Sequence, residues 1–551
     1  MSATVIQHVL NRLKDIGIDD VFGVPGDYSF SVCDAVLADP QLRWIGCCNE
    51  LNAGYAADGY ARVKGAAALS TTYGVGELSA INAVAGSYAE HLPIFHLVGT
   101  PRMSVQTARA IMHHTLGDGE YGLFRRMCEP VVVAQAVMTP QNVAYETERL
   151  IHEALYHRRP VYMAFPADLA EQPVLGAASP VSPSRSDPAA LQRAAHAIIE
   201  ALEASTAACL LPGVLIARAG FSSLLQRLVD GSGLPFASMA MDKGVLDEDQ
   251  PAFIGMYDGA IMNESVGAFV EGCDLVLAVG ALMSDFNTGA FTARLDPAKM
   301  IQVGHHRTRV GGVLHQNVEM DELIVELTRR LTHRPWVRPD VPERSPAMKA
   351  TKPIADAPIT AEALYARWAD FLRPGDQLVA ETGTISMGLA FAALPRGAGF
   401  HNQTLWGSIG WATPASVGIA VAARERRTIL VTGDGSHQLT AQEIGLFGRL
   451  GLKPIVFVLN NSGYLIERLL CRDPDAAYND VAPWRYTQLP QALGCEGWLT
   501  ARVSTIGELD AALIAAETGN QAAYIEVVTG PYEASPLARK LHDALATLYP
   551  K

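Results

Sequence analysis

Three α/β domains, each built on a mainly parallel sheet flanked by helices, are what this sequence predicts. Short apolar, β-branched runs that stop at glycine alternate with stretches of helical spacing, the pattern of strands buried on both faces. Two proline-rich segments, Pro173 to Pro188 and Pro335 to Pro358, read as extended linkers. A length of 551 residues is too great for one domain and suits about three. The linkers divide the chain into 1–175, 187–335 and 358–551.

The composition, 49% hydrophobic and 18% charged, is that of a soluble protein with large cores. With 43 basic and 57 acidic side chains the net charge is −14, which argues against nucleic acid and anionic membranes as partners. A small anionic substrate stays open, because the local field decides its fate. No run approaches about 18 consecutive apolar residues, so no membrane-spanning helix is expected. The N-terminus reads as an amphipathic helix capped by Ser2 or Thr4, without the basic and apolar regions of a signal peptide. A cytoplasmic location is the expectation. The eight cysteines form no CxxC pair and read as reduced, buried thiols.

In the first domain, Phe22-Gly23-Val24-Pro25-Gly26-Asp27 reads as a strand end and turn that presents Asp27 at a sheet edge. Gly46-Cys47-Cys48-Asn49 ends a second strand, and Glu50 opens a helix, where its charge suits the helix dipole. His113-His114 lies in a glycine-bearing loop. Two adjacent imidazoles without a third ligand make a poor metal site but suit proton transfer or substrate orientation. The middle domain shows strand-like Leu275 to Gly280 and Met300 to Gly304, and no residue set that points to a ligand.

The third domain carries the most specific pattern. Thr428 to Val431 reads as a buried strand leading into Gly433-Asp434-Gly435-Ser436, helical spacing follows from Leu439 to Leu450, and Pro454 to Leu459 is a second strand ending at Asn460-Asn461. Parallel pairing of the two strands sets Asp434 and Asn461 at one carboxyl edge, where open α/β sheets bind ligands. A carboxylate and a carboxamide oxygen there suit Mg2+ shared with phosphate oxygens. Gly433 and Gly435 allow close backbone approach. Read alone, Gly-Asp-Gly is as well explained as a simple turn.

Gly-Asp-Gly, 24 residues (Ser436 to Leu459) and then Asn-Asn resembles the thiamine diphosphate motif. Together with Cys48-Asn49-Glu50-Leu51-Asn52, His113-His114, Trp406-Gly407-Ser408-Ile409-Gly410 and Gly463-Tyr464-Leu465-Ile466-Glu467, the whole chain resembles the thiamine diphosphate-dependent 2-oxo acid decarboxylases. The order of domains would then be pyrimidine-binding, middle and diphosphate-binding. Gly289 to Leu295 and Tyr478 to Ala482 look closer to the indolepyruvate and branched-chain branch than to the pyruvate-specialised one.

The resemblance implies roles for single residues. Glu50 bonds N1′ of the aminopyrimidine and favours formation of the thiazolium ylide. Ile409 props the cofactor into a V shape, and the Gly407 carbonyl accepts from its 4′-amino group. Asp434, Asn461 and the Gly463 carbonyl hold Mg2+. Gly433, Gly435, Ser436 and Thr382 complete the cofactor site. Asp27, His113, His114 and Glu467 are the acid–base set, with Asp27 and His114 placed to protonate the enamine and Glu467 to steer loss of CO2. Phe286, Thr382, Ser386, Ile466, Leu470 and Leu541 correspond to the substrate pocket, with His542 beside them on a C-terminal helix. Ser386 stands where pyruvate-specialised members carry Trp, and Thr382 where indolepyruvate members often carry Gln. Branched or aromatic 2-oxo acids are the expected substrates. The resemblance also implies a homo-oligomer, at least a dimer and expectedly a tetramer, with the site formed between subunits.

Four other readings fit the residues less well. A pyruvate-preferring decarboxylase would not need Ser386. A thiamine diphosphate-dependent carboligase usually lacks the two histidines with Glu467. A catalytically silent scaffold has no need of Glu50 with Asp434 and Asn461. A nucleotide-binding protein would show a GxxxxGK[ST] loop, which this chain lacks.

Overall fold

The computed structural model describes residues 3–339, 348 and 354–548. In the last helix the side chains of Leu541 and of residues 544–548 lie outside that set. The chain folds as two compact units. One comprises Met1–Pro183 with Thr413–Glu425 and Thr440–Leu452; the other comprises Ser184–Ala412, Arg426–Leu439 and Lys453–Lys551.

The first unit holds a six-stranded parallel sheet in the order Arg43–Gly46, Asp20–Gly23, Ala67–Thr72, Ile94–Thr100, Val161–Pro166, Ala134–Val137. Its central strands are buried along their whole length, which is why they read as unbroken apolar runs. The helix Val5–Asp15 starts at a capping box in which the Thr4 hydroxyl accepts from Gln7 N–H and the Gln7 side chain accepts from Thr4 N–H. Thr4 is therefore the cap, and Ser2 lies outside the described residues. The helix Glu50–Lys64 is capped by Asn49, whose side chain accepts from Asn52 N–H at 2.8 Å. That helix runs against 413–425 nearly backbone to backbone: a Cβ at Gly59 would lie 2.1 Å from the Ala415 carbonyl oxygen, and one at Gly418 would lie 1.8 Å from that of Ala56.

The second unit holds two sheets. The seven-stranded one runs Val313–Gln316, Arg307–Val310, Met300–Val303, Leu275–Val279, Ala208–Pro212, Phe236–Ser238, Phe253–Met256, with an antiparallel edge at its first three strands. The six-stranded one is parallel throughout, in the order Gly399–His401, Gln377–Ala380, Thr428–Gly433, Ile455–Asn460, Ala523–Val528, Leu499–Val503. One of its apolar faces is covered by helices that include Ala361–Phe371 and Ile506–Thr518, with Trp368, Phe371 and Phe457 meeting in the core.

Residues 174–187 form no regular element, and Pro188 is the first residue of the helix Pro188–Ala204, capped by Asp187. In the other proline-rich segment, Pro342, Pro346 and Pro353 lie outside the described residues. All eight cysteines are free thiols, but they are not uniformly buried: Cys48 is exposed, and Cys47 and Cys471 are partly so. Those three sit after a strand end or a short helix rather than inside an apolar run. Among the described residues, no helix is long and apolar enough to cross a membrane.

Candidate functional site

The parallel pair Thr428–Gly433 and Ile455–Asn460 is in register with Gly433 opposite Leu459, so Asp434 and Asn461 emerge side by side at one carboxyl edge. The sequence suggested a turn here and a helix from Leu439. The structure instead starts a helix at Asp434, Asp434–Thr440, followed by a 3-10 turn and a second helix, Ile444–Arg449. The break falls at Thr440, whose φ of −141° departs from the helical value and interrupts the path.

Asp434 is 2% exposed. Its carboxylate accepts from Gly435 N–H at 2.8 Å and Gly463 N–H at 3.1 Å. Burial nevertheless dominates and pushes its pKa up to about 6. Asn461 is buried, and its Oδ1 has no hydrogen-bond partner among the described residues. A buried carboxylate beside an orphaned carboxamide oxygen is a costly arrangement that a divalent cation relieves. The residues present therefore fit Mg2+.

Around them lies a hollow of about 180 Å³. Gly433, Asp434, Gly435 and Ser436 line one side, Asn461, Gly463, Ile466 and Glu467 another, and Thr382 and Ile409 close it. Gly435 is required here, since a Cβ would lie 2.4 Å from the Tyr464 ring. Gly407, with φ +66°, lies beside Thr382. Ile409 is half-buried rather than a core side chain.

Two charged residues that sequence reasoning missed hold this hollow in shape. Arg468 is buried and donates to the carbonyls of Asn461 (3.1 Å) and Ser462 (2.9 Å) and to Asp480 (3.0 Å). It thereby fixes the loop that carries Asn461, where Ser462 adopts a left-handed φ of +62°. Glu381 is fully buried and accepts from Thr382 N–H at 3.0 Å and Ala412 N–H at 3.3 Å. Burial raises its pKa to about 7. Both follow or precede motif residues directly, and a charge inside an apolar stretch was the signal available.

A second cavity, of about 740 Å³, adjoins the first, and Ile466 lines both. Phe286, Ser386, Leu470 and His542 are in its wall. Thr382 is not; it borders the smaller hollow. The side chain of Leu541 lies outside the described set. The middle sheet's loops supply Asp258, Phe286 and Phe291, of which the sequence pointed to Phe286 and not to the other two.

In the first unit, Asp27 sits in the 3-10 turn Asp27–Ser29 just beyond the strand Asp20–Gly23. Its carboxylate meets His113 Nε2 at 2.6 Å. The Tyr28 ring stacks on His113 at 4.9 Å and meets His114 edge-on at 5.8 Å. The ligand atoms of Asp27, His113 and His114 all lie within 4.8 Å of one another. The carboxylate thus orients one imidazole, an arrangement for moving a proton. Glu50, half-buried, is on the first turn of its helix, and a Cβ at Gly76 would lie 3.2 Å from its Oε1. Beside it, Glu443 accepts from Cys48 N–H and from the Asn52 amide, which ties the strand end at Cys48 to 440–452.

Comparison with known proteins agrees with this geometry. The thiamine pyrophosphate enzyme family matches in three parts: its N-terminal TPP-binding domain over residues 3–119, its central domain over 195–324 and its C-terminal TPP-binding domain over 381–527. An alpha-keto-acid decarboxylase of Mycobacterium tuberculosis is 40% identical over 546 residues, covering 98% of this chain and 97% of that protein. One from Mycobacterium leprae is 40% identical over 534 residues, covering 95% and 92%. The crystal structure of benzoylformate decarboxylase from Polynucleobacter necessarius shares the fold, with a TM-score of 0.79 at 20% identity over 96% of this chain and 99% of that one. The chain belongs to the thiamine diphosphate-dependent 2-oxo acid decarboxylases.

Proposed function

We propose that this enzyme releases aldehyde and CO2 from branched-chain or aromatic 2-oxo acids in preference to pyruvate, using Mg2+ to bind its cofactor. One observation supports the preference above others: a cavity of about 740 Å³, far larger than pyruvate needs, opens beside the cofactor hollow at Ile466. Ser386 keeps that cavity open, and Phe286 offers an aryl face.

Thiamine diphosphate, when bound, supplies the carbon nucleophile and the sink for the electron pair left by CO2. The chain supplies the rest. Asp434, the Asn461 amide oxygen and the Gly463 carbonyl hold the metal. Gly435 and Ser436 offer backbone N–H groups to the diphosphate, Gly433 lets it approach, and Thr382 borders it. Ile409 would pack against the cofactor, and the Gly407 carbonyl would accept from its amino group. Glu50 holds a proton at the aminopyrimidine N1′. His113, oriented by Asp27, and His114 deliver the proton that completes the aldehyde. Glu467 stands beside Ile466, where its carboxyl group would steer the departure of the substrate's carboxylate. The working form in this reading is a homo-oligomer, at least a dimer.

Decarboxylation rates for pyruvate, 4-methyl-2-oxopentanoate and phenylpyruvate, with cofactor and Mg2+ added, test the preference. The larger two should lead in kcat/KM; pyruvate in first place would reverse the assignment.

A further inference from the structure

The wall of the larger cavity is built mainly from Met256, Ile261, Phe286, Phe400 and Leu469. Asp258 interrupts it, as do Asp285, Ser386, Asn402, Thr404 and His542. Asp258 is 2% exposed. Its Oδ1 accepts from the N–H groups of Met262 (3.3 Å) and Asn263 (3.4 Å). Its Oδ2 is buried and has no hydrogen-bond partner among the described residues. Buried carboxylate oxygens are rarely left so, because the lost hydration is not replaced.

The position is held rigidly. A Cβ at Gly289 would lie 1.9 Å from the Asp258 carbonyl oxygen, and Gly259 and Gly289 both have left-handed φ, +62° and +58°. The Thr292 hydroxyl accepts from Ala260 N–H at 3.0 Å. The backbone at 258–260 is thus locked to the loop that carries Phe286 and Phe291. Asp258 borders the larger cavity and not the cofactor hollow, so it is available to a part of the substrate other than an oxo acid group held beside the cofactor.

We propose that Asp258 Oδ2 accepts a hydrogen bond from the distal end of the substrate, and that the cavity takes aryl 2-oxo acids whose ring carries an N–H or O–H group. The inference rests on the proposed decarboxylase site and adds to it a specificity residue from the middle sheet. A ring donor fits better than an ammonium group. The wall is mainly apolar and includes Phe286, Phe291 and Phe400, which suits a neutral ring. Lys540, held to the Ile261 carbonyl at 3.1 Å, already places a positive charge near Asp258. Burial lifts the Asp258 pKa only to about 6, so the group is mainly an ionised acceptor at neutral pH.

The holoenzyme with thiamine diphosphate and Mg2+ is assayed with phenylpyruvate, 4-hydroxyphenylpyruvate and indole-3-pyruvate. The better of the two donor-bearing acids should exceed phenylpyruvate in kcat/KM by about tenfold. Asp258→Asn keeps an oxygen for the two N–H groups and sets an amide NH2 in place of Oδ2. It should cut that ratio about tenfold, whatever happens to the absolute rates. A wild-type ratio near one, or a ratio that the substitution leaves unmoved, overturns the role of Asp258 while the decarboxylase reading stands. Should Asp258→Asn fail to fold, the wild-type ratio alone decides. Turnover of none of the three acids, nor of 4-methyl-2-oxopentanoate, overturns both.

Discussion

The two hollows that meet at Ile466 are built in opposite ways. The smaller one is made mainly by two adjacent strand ends and their backbone, with Thr382 and Ile409 closing it and a buried carboxylate and amide at its floor. The larger one is made by side chains from separate stretches of the second unit, including 256–261, 285–291, 386–404 and 466–471. A cradle of backbone and two fixed oxygens suits a ligand that never changes. A wall of exchangeable side chains suits one that does, since each methylene in such a wall shifts selectivity by only about 1–3 kcal/mol.

Substitutions in each hollow separate the two designs. Asp434→Ala should weaken Mg2+-dependent cofactor binding by on the order of a hundredfold or more, read by titration of intrinsic fluorescence. Normal affinity in that variant would remove the cradle from the comparison. Glu467 lines the smaller hollow and follows Ile466, the residue common to both. Glu467→Gln should lower kcat by about a hundredfold while cofactor affinity persists, as separate measurements of turnover and binding will show. Turnover close to that of the parent would refute the role given to Glu467.

Ser386→Trp tests the larger hollow alone. It should move the kcat/KM ratio of phenylpyruvate to pyruvate toward pyruvate by about 10- to 100-fold and leave cofactor affinity within a few-fold. An unchanged ratio would mean that Ser386 does not set the room available. The smallest effect is one of stability. Glu381 has its pKa raised by burial from 4.5 to about 7, so the folded chain keeps a proton that the unfolded chain releases. Its contribution to stability is present below about pH 4.5 and is lost as pH rises through about 7. Glu381→Gln should flatten Tm against pH across that window in thermal melts. An unaltered slope would show that Glu381 does not titrate there.

The smaller hollow was largely legible because its parts follow one another in the chain. Gly433-Asp434-Gly435 and Asn460-Asn461 each end a strand, and the parallel register brings them together without further information. The strands themselves announced the sheet through unbroken apolar runs such as Ile455 to Leu459. The start of the helix at Asp434 was missed because glycine on either side of an aspartate reads as a turn until the neighbouring strand-end loop, at Gly463, supplies a donor to its carboxylate. Arg468 and Glu381 were missed for a related reason. A buried charge looks like any other charge until the fold shows what neutralises it. In the larger hollow, family likeness pointed to Phe286, Ser386 and Leu470, but nothing in the sequence brings Asp258 beside them. That juxtaposition arises only where the middle sheet's loops come against the helix ends of its neighbour.

Ile466 belongs to both walls, and Glu467 follows it on the same short helix. A library randomised at position 466 would therefore trade coenzyme retention against choice of reactant in every clone, with neither trait free to drift alone. Positions 258 to 291 carry no such bond to the coenzyme. Divergence of this enzyme toward new reactants has its open road there, and breeders of altered variants would do well to begin on that side.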